Sequence, residues 1–116
     1  MAKELKLLIH VAQPDRWDVA AGNAINFLKT RLAGEELKVI MVANADAVTR
    51  CIQCDRPLFD LLKQIVLDGG EIYLCENALR KFEIPVSRLP DIFKTVPAGV
   101  RALVEFQQDG WRYVRP

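Results

Sequence analysis

Leu5-Lys6-Leu7-Leu8-Ile9-His10-Val11 is a short, nearly continuous apolar run, and Leu37-Lys38-Val39-Ile40-Met41-Val42-Ala43 repeats its character some thirty residues later. Runs of this length and composition read as strands buried on both faces. Between them Trp17, Ala20, Ala21, Ala24, Ile25, Phe27, Leu28 and Leu32 recur at three- and four-residue steps, the spacing of a helix with one apolar side. Pro14 is expected to open that helix over residues 16–32, and Gly34 to end it in a left-handed cap. Strand, helix and strand joined by short connections make a parallel pair with a right-handed crossover.

The alternation continues outward. Asn44 or Asp46 can cap a short helical piece near residues 47–53 through its side-chain oxygen. Pro57 disfavours helical geometry at Arg56, so a longer helix is expected from 58 to 67, stopped by Asp68-Gly69-Gly70. Residues 71–75 read as a third strand, 77–81 as a helical turn, and the proline-punctuated 84–90 as an extended surface loop. Residues 92–96 form a fourth strand ended by Pro97. A helix over 98–108 follows, with Val100, Leu103, Val104 and Phe106-Gln107 on its inner side. The last segment, 111–115, alternates outward arginines with inward apolar groups if it lies at a sheet edge. Five strands alternating with helices predict a mostly parallel sheet covered on both faces.

A chain of 116 residues fits one domain, 1–116, with a core that stands without staples. Its 16 basic and 15 acidic residues are interspersed and leave a net charge of +1, so no basic face exists to neutralise a row of phosphates. Neither nucleic acid nor a membrane surface is an expected partner. No apolar run approaches the ~20 residues of a membrane span, and Met1-Ala2-Lys3-Glu4 leads into a short apolar segment rather than a signal peptide, which reads as cytoplasmic.

In a parallel sheet, chemistry collects beyond the carboxyl ends of the strands, which points to residues 10–13, 44–46 and 75–77. Cys75 ends the third strand where a helix begins, and the partial positive charge at a helix amino terminus favours a thiolate. A nucleophilic thiol and a small core filler both fit that position. His10 is the one histidine. It can lie toward Cys75 as a proton acceptor, or serve as a satisfied core residue. Asn44 and Asn77 stand at strand-to-helix junctions, where asparagine contacts a ligand or, more commonly, caps the helix.

Cys51-Ile52-Gln53-Cys54 is a CxxC, the spacing of a redox disulfide or of half a zinc site. The chain adds only Cys75 and His10 to that pair, short of a second pair at zinc spacing. The thioredoxin arrangement would need the pair to open the helix after the first strand. No glycine pattern forms a phosphate cradle. No metal or cofactor is therefore expected.

Several stretches together resemble the DsrE/DsrF-like family. They are Ile9-His10-Val11 with Pro14-Asp15-Arg16-Trp17; Asn23-Ala24-Ile25-Asn26; Val42-Ala43-Asn44; Leu74-Cys75-Glu76-Asn77-Ala78-Leu79; Val96-Pro97-Ala98-Gly99-Val100; and, toward the end, Gln107, Gly110-Trp111 and Tyr113-Val114-Arg115-Pro116. The resemblance spans essentially the whole chain. It implies a three-layer α/β/α sandwich on a five-stranded parallel sheet, assembled as a homo-oligomer of three or six copies. In the family's sulfur-relay members a cysteine after the third strand carries a persulfide, and Cys75 is the matching position. The resemblance thus implies a sulfurtransferase or persulfide carrier, with donor and acceptor proteins as partners. Two other readings stand beside it: a non-catalytic oligomeric binding or scaffold protein of the same fold, and a thiol-disulfide redox protein using Cys51 and Cys54.

Overall fold

The computed structural model describes residues 3–116; Met1 and Ala2, the start of the segment weighed as a leader, lie outside the described residues. Five strands, β1 (Lys3–Val11), β2 (Glu35–Ala43), β3 (Glu71–Cys75), β4 (Phe93–Val96) and β5 (Arg112–Val114), form one sheet in the order β4-β3-β2-β1-β5. Every pairing is parallel. The helices are α1 (Trp17–Lys29), α2 (Arg56–Leu67), α3 (Glu76–Lys81) and α4 (Gly99–Gln108).

Alternate strand residues serve different layers. Ile9, Val11, Met41, Ala43, Ile72 and Leu74 point into the larger core beneath α1, α2 and α3, whereas Leu8, Ile40 and Val42 meet Leu103 of α4 on the other face. Both sets are buried, which is why the strands read as continuous apolar runs rather than alternating ones. Burying each valine, leucine, isoleucine or methionine of these sets contributes about 1.5–3 kcal/mol. Trp17 is wholly buried at the start of α1 and its indole N–H donates to the Ala47 carbonyl at 2.9 Å, which pins the loop after β2 to the helix.

The structure corrects several local expectations. Pro14 opens a 3-10 turn, Pro14–Arg16, and α1 starts only at Trp17 and stops at Lys29. Leu32 therefore lies beyond the helix and is exposed, and Gly34 uses its left-handed φ of 81° in the turn into β2 instead of as a helix cap. Ala45–Arg50 is a 3-10 segment. Arg56 is helical: Pro57 sits in the first turn of α2, where a missing N–H is harmless, and Asp55 caps that helix by accepting from the Leu58 N–H. Helix α4 turns Ala102 and Leu103 inward and leaves Val100 and Val104 exposed. Strand β5 is an edge strand as expected, but Tyr113 and Val114 each stay 40% exposed, so its apolar residues do not point fully inward.

Candidate functional site

The chain runs β1, β2, β3, β4 across the sheet with its connecting helices on one face. It then returns from β4 to β5, at the opposite edge, through α4 on the other face. The segments leaving β3 and β4 thus part toward opposite faces, and a crevice opens between the carboxyl ends of these two strands. Cys75, the last residue of β3 and the pairing partner of Val96, sits there. Its thiol is free and the residue is 7% exposed.

Two helix amino termini meet at Cys75. Helix α3 starts at the next residue, and α4 packs its first residue against it: a β-carbon added to Gly99 would lie 3.1 Å from the β-carbons of both Asn44 and Cys75, and 3.7 Å from Cys75 Sγ. The glycine lets the amino terminus of α4 approach the thiol. A shallow, mainly apolar cleft of about 240 Å³ follows, walled by Asn44, Ala45, Cys75, Ala78, Gly99 and Val100, with Asn77 and Lys81 also bordering it. Lys81 is the one charged residue on that wall.

Asn44 stands where β2 ends, in extended conformation, and Ala45 after it holds a left-handed φ of 51°. An alanine there costs about 1–2 kcal/mol relative to the right-handed region. The sharp reversal turns Asn44 away from helix capping: its side chain makes no capping bond, and Oδ1 instead lies 2.8 Å from His10 Nε2. His10 Nδ1 lies 2.6 Å from the Tyr113 hydroxyl. Since Oδ1 only accepts, Nε2 carries the proton, and in the neutral ring Nδ1 accepts from the tyrosine. His10 is 9% exposed, with both ring nitrogens satisfied. It is one strand removed from Cys75, because β2 lies between β1 and β3, and Asn44 bridges the gap.

Asn77 also departs from capping: its Oδ1 accepts from the Arg80 guanidinium. Glu76 accepts from the Thr95 hydroxyl at 2.7 Å and ties α3 to β4.

Cys51 and Cys54 do not line this cleft. They lie on the connection into α2, Cys51 buried and Cys54 half-buried, both as free thiols. Burial pushes the Cys51 thiol far above its ordinary value; burial and the neighbouring Asp55 push Cys54 up to about 11. Between them and α1, Arg50 donates to both carboxylate oxygens of Asp18, to Asp55 and to the Pro14 carbonyl. Among the described residues no three His, Cys, Asp or Glu side chains converge as metal ligands would. A larger cavity of about 430 Å³ lies at the opposite ends of the strands, bordered by Lys38, Asp68, Glu71 and Trp111, with no thiol on it.

Of the candidates read from the sequence, Cys75, Asn44 and Asn77 lie on this cleft and His10 stands behind Asn44; Tyr113 and Gly99 were not among those candidates. Tyr113 becomes a partner of His10 only because β5 pairs with β1. Gly99 followed a proline-alanine pair that marked a helix start without showing what the helix start touches.

Parallel strands, helices on both faces and a thiol in the crevice where the connections diverge define a doubly wound α/β/α protein. The model of the DsrE/DsrF-like family matches residues 20–116, and the chain belongs to that family, which is related to sulfur relay. No protein of curated function matches the chain. Among solved structures it is similar to MTH1491 of Methanobacterium thermoautotrophicum, a protein of unknown function, with 22% identity and a TM-score of 0.83 over 97% of this chain and 99% of that one. It is similar also to the ychN protein of E. coli, at 17% identity and a TM-score of 0.70 over all of both chains. BT1422 of Bacteroides thetaiotaomicron, a conserved protein of unknown function, is 16% identical with a TM-score of 0.68 over 96% of this chain and 94% of that one. These likenesses concern the fold. No helix among the described residues is long and apolar enough to cross a membrane.

Proposed function

We propose that this protein is a cytoplasmic persulfide carrier, a single-domain subunit of a homotrimer or homohexamer, in which Cys75 receives and hands on sulfane sulfur. The observation that carries this reading is the position of the thiol: it ends β3 in the crevice of the sheet, beside the amino termini of α3 and α4. Partial positive charge at helix amino termini favours an anion there.

The step conserves atoms and electrons. The Cys75 thiolate attacks the outer sulfur of a donor persulfide, R–S–SH; the donor S–S bond breaks as the new one forms, giving Cys75–S–SH and the donor thiolate R–S⁻. Attack by an acceptor thiolate on the outer sulfur of Cys75–S–SH reverses the bookkeeping and regenerates Cys75. The cleft is shallow and mostly apolar, with Lys81 its one charge, which suits a thiol presented by a protein partner. Asn77 and Asn44 border the entering sulfur, and His10 assists through Asn44.

Mass spectrometry after incubation with a persulfide donor tests this. A 32-Da class of adduct on Cys75, lost in Cys75→Ser, is expected; an unmodified wild type would overturn the reading. The near-complete burial of Cys75 favours a second reading, a non-catalytic scaffold of the same fold. Negligible alkylation of the native thiol would support that alternative.

A further inference from the structure

We infer that Asn44 is the hydrogen-bond donor to anionic sulfur on Cys75, and that His10 and Tyr113 are positioning residues that fix which end of its amide faces the cleft. The inference deepens the sulfur reading and rests on it only for the identity of the anion, since a bare Cys75 thiolate would engage the same donor.

An asparagine side chain presents an acceptor at one end and two donors at the other, so its usefulness depends on which way it is turned. Here Oδ1 is taken by His10 Nε2–H at 2.8 Å, while Nδ2 has no hydrogen-bond partner among the described residues. The side chain borders the cleft, and its β-carbon and that of Cys75 flank the same point above Gly99. Turning the amide over would set its NH₂ against the Nε2–H of the imidazole, donor against donor. That holds while Nε2 keeps its proton, the tautomer in which Nδ1, 2.6 Å from the Tyr113 hydroxyl, accepts from it. The relay Tyr113 to His10 to Asn44 therefore leaves the Nδ2 end of the amide free on the cleft that Cys75 also borders. The other charged or titratable groups nearby are otherwise disposed: Glu76 is held by Thr95 on the β4 side, and Lys81 borders the cleft from α3.

Side-chain ¹⁵N spectra of the full-length protein test this. In the wild type the His10 nitrogens should report the Nε2-protonated tautomer, and the Asn44 amide protons should shift as Cys75 ionises, with no such shift in Cys75→Ser. Tyr113→Phe should mix the His10 tautomers, blunt the Asn44 shift and slow iodoacetamide alkylation of Cys75 about two- to fivefold. A folded Tyr113→Phe protein with an unchanged His10 tautomer and alkylation rate would overturn the positioning role. An Asn44 amide that ignores Cys75 ionisation, or follows it equally in Cys75→Ser, would overturn the donor role. A wild type whose Asn44 follows the thiolate but which takes no sulfur from a persulfide donor overturns the carrier reading alone and upholds this one.

Discussion

His10 and Tyr113 are 103 residues apart in the chain, yet the hydroxyl of one lies 2.6 Å from Nδ1 of the other. The contact exists because β5 adds to the free edge of β1, and it leaves the imidazole with a partner on each side. His10→Leu would remove both bonds and leave the Asn44 carbonyl and the tyrosine hydroxyl to whatever water reaches them. The expected loss is about 1–3 kcal/mol by urea denaturation, and Tyr113→Phe should lose about 1 kcal/mol. A His10→Leu protein as stable as the wild type would show that the network contributes nothing to folding.

Gly99 and Gly22 make a paired test of close approach. A side chain at Gly99 meets two β-carbons at 3.1 Å, both anchored to the sheet, whereas nothing stands within 4 Å of a β-carbon at Gly22 in α1. Gly99→Val should cost about 1–3 kcal/mol through overpacking and suppress labelling of Cys75. Gly22→Ala should raise stability by about 0.5–1 kcal/mol, since it only improves helix propensity. Thermal melts and alkylation kinetics of the two variants check both statements.

The cysteines of the CxxC should differ in reactivity. Cys54 titrates near 11, so its alkylation should be slow at neutral pH and keep accelerating up to about pH 11. Cys51, buried and pushed further up, should label only when the protein unfolds. Peptide mapping after timed alkylation at several pH values reads this directly; rapid labelling of Cys51 in the native protein would contradict it.

Glu71 supplies a pH-dependent increment of stability. The Tyr73 hydroxyl and then the Lys94 ammonium, at 3.0 Å, hold its carboxyl below the usual value of 4.5. A depressed native pKa favours folding at pH above the unfolded value and loses that contribution as pH falls through the native one. The Tm difference between wild type and Glu71→Gln should thus be roughly 2–4 °C near neutrality and vanish well below pH 4.5. Tyr73 behaves oppositely at the alkaline end: burial and then Glu71 raise it to about 12. Its contribution is present below pH 10 and is lost as pH rises through about 12, visible as a late phenolate absorbance step.

Arg50 joins three segments through charge-assisted bonds to Asp18 and Asp55 and one to the Pro14 carbonyl. Arg50→Ala should lower the Tm, and Arg50→Lys should recover only part of the loss, because an ammonium cannot reproduce the forked geometry. Equal stability of the lysine variant and the wild type would show that charge alone suffices.

The strands were legible because residues such as Leu8 and Ile9, or Val42 and Ala43, are buried on opposite faces and so leave no polar gap in the sequence. Glu71–Cys75 was expected with the bounds it has. Helix faces were less legible: Val100 and Val104 look like core residues, but the phase of α4 is set by Gly99 against the sheet, which spacing within the helix does not reveal. The position of Cys75 followed from the strand-helix junction alone. The Asn44 bond to His10 did not, since local preference for capping competes there with a partner on a neighbouring strand. The order of strands, and with it Tyr113, depends on a crossover over the far face that no local signal encodes.

The pairing of β5 with β1 has a consequence for biosynthesis. A ribosome releases the amino-terminal strands long before residues 112–114, so during translation β1 to β4 can associate while the edge beside β1 stays vacant. For that interval His10 lacks its tyrosine and the strip of Leu8, Ile40 and Val42 waits for α4. The relay behind Asn44 is completed only when residues 112–114 fold back onto β1, so the hydrogen-bond network beside the Cys75 cleft closes after the four strands before it are in place.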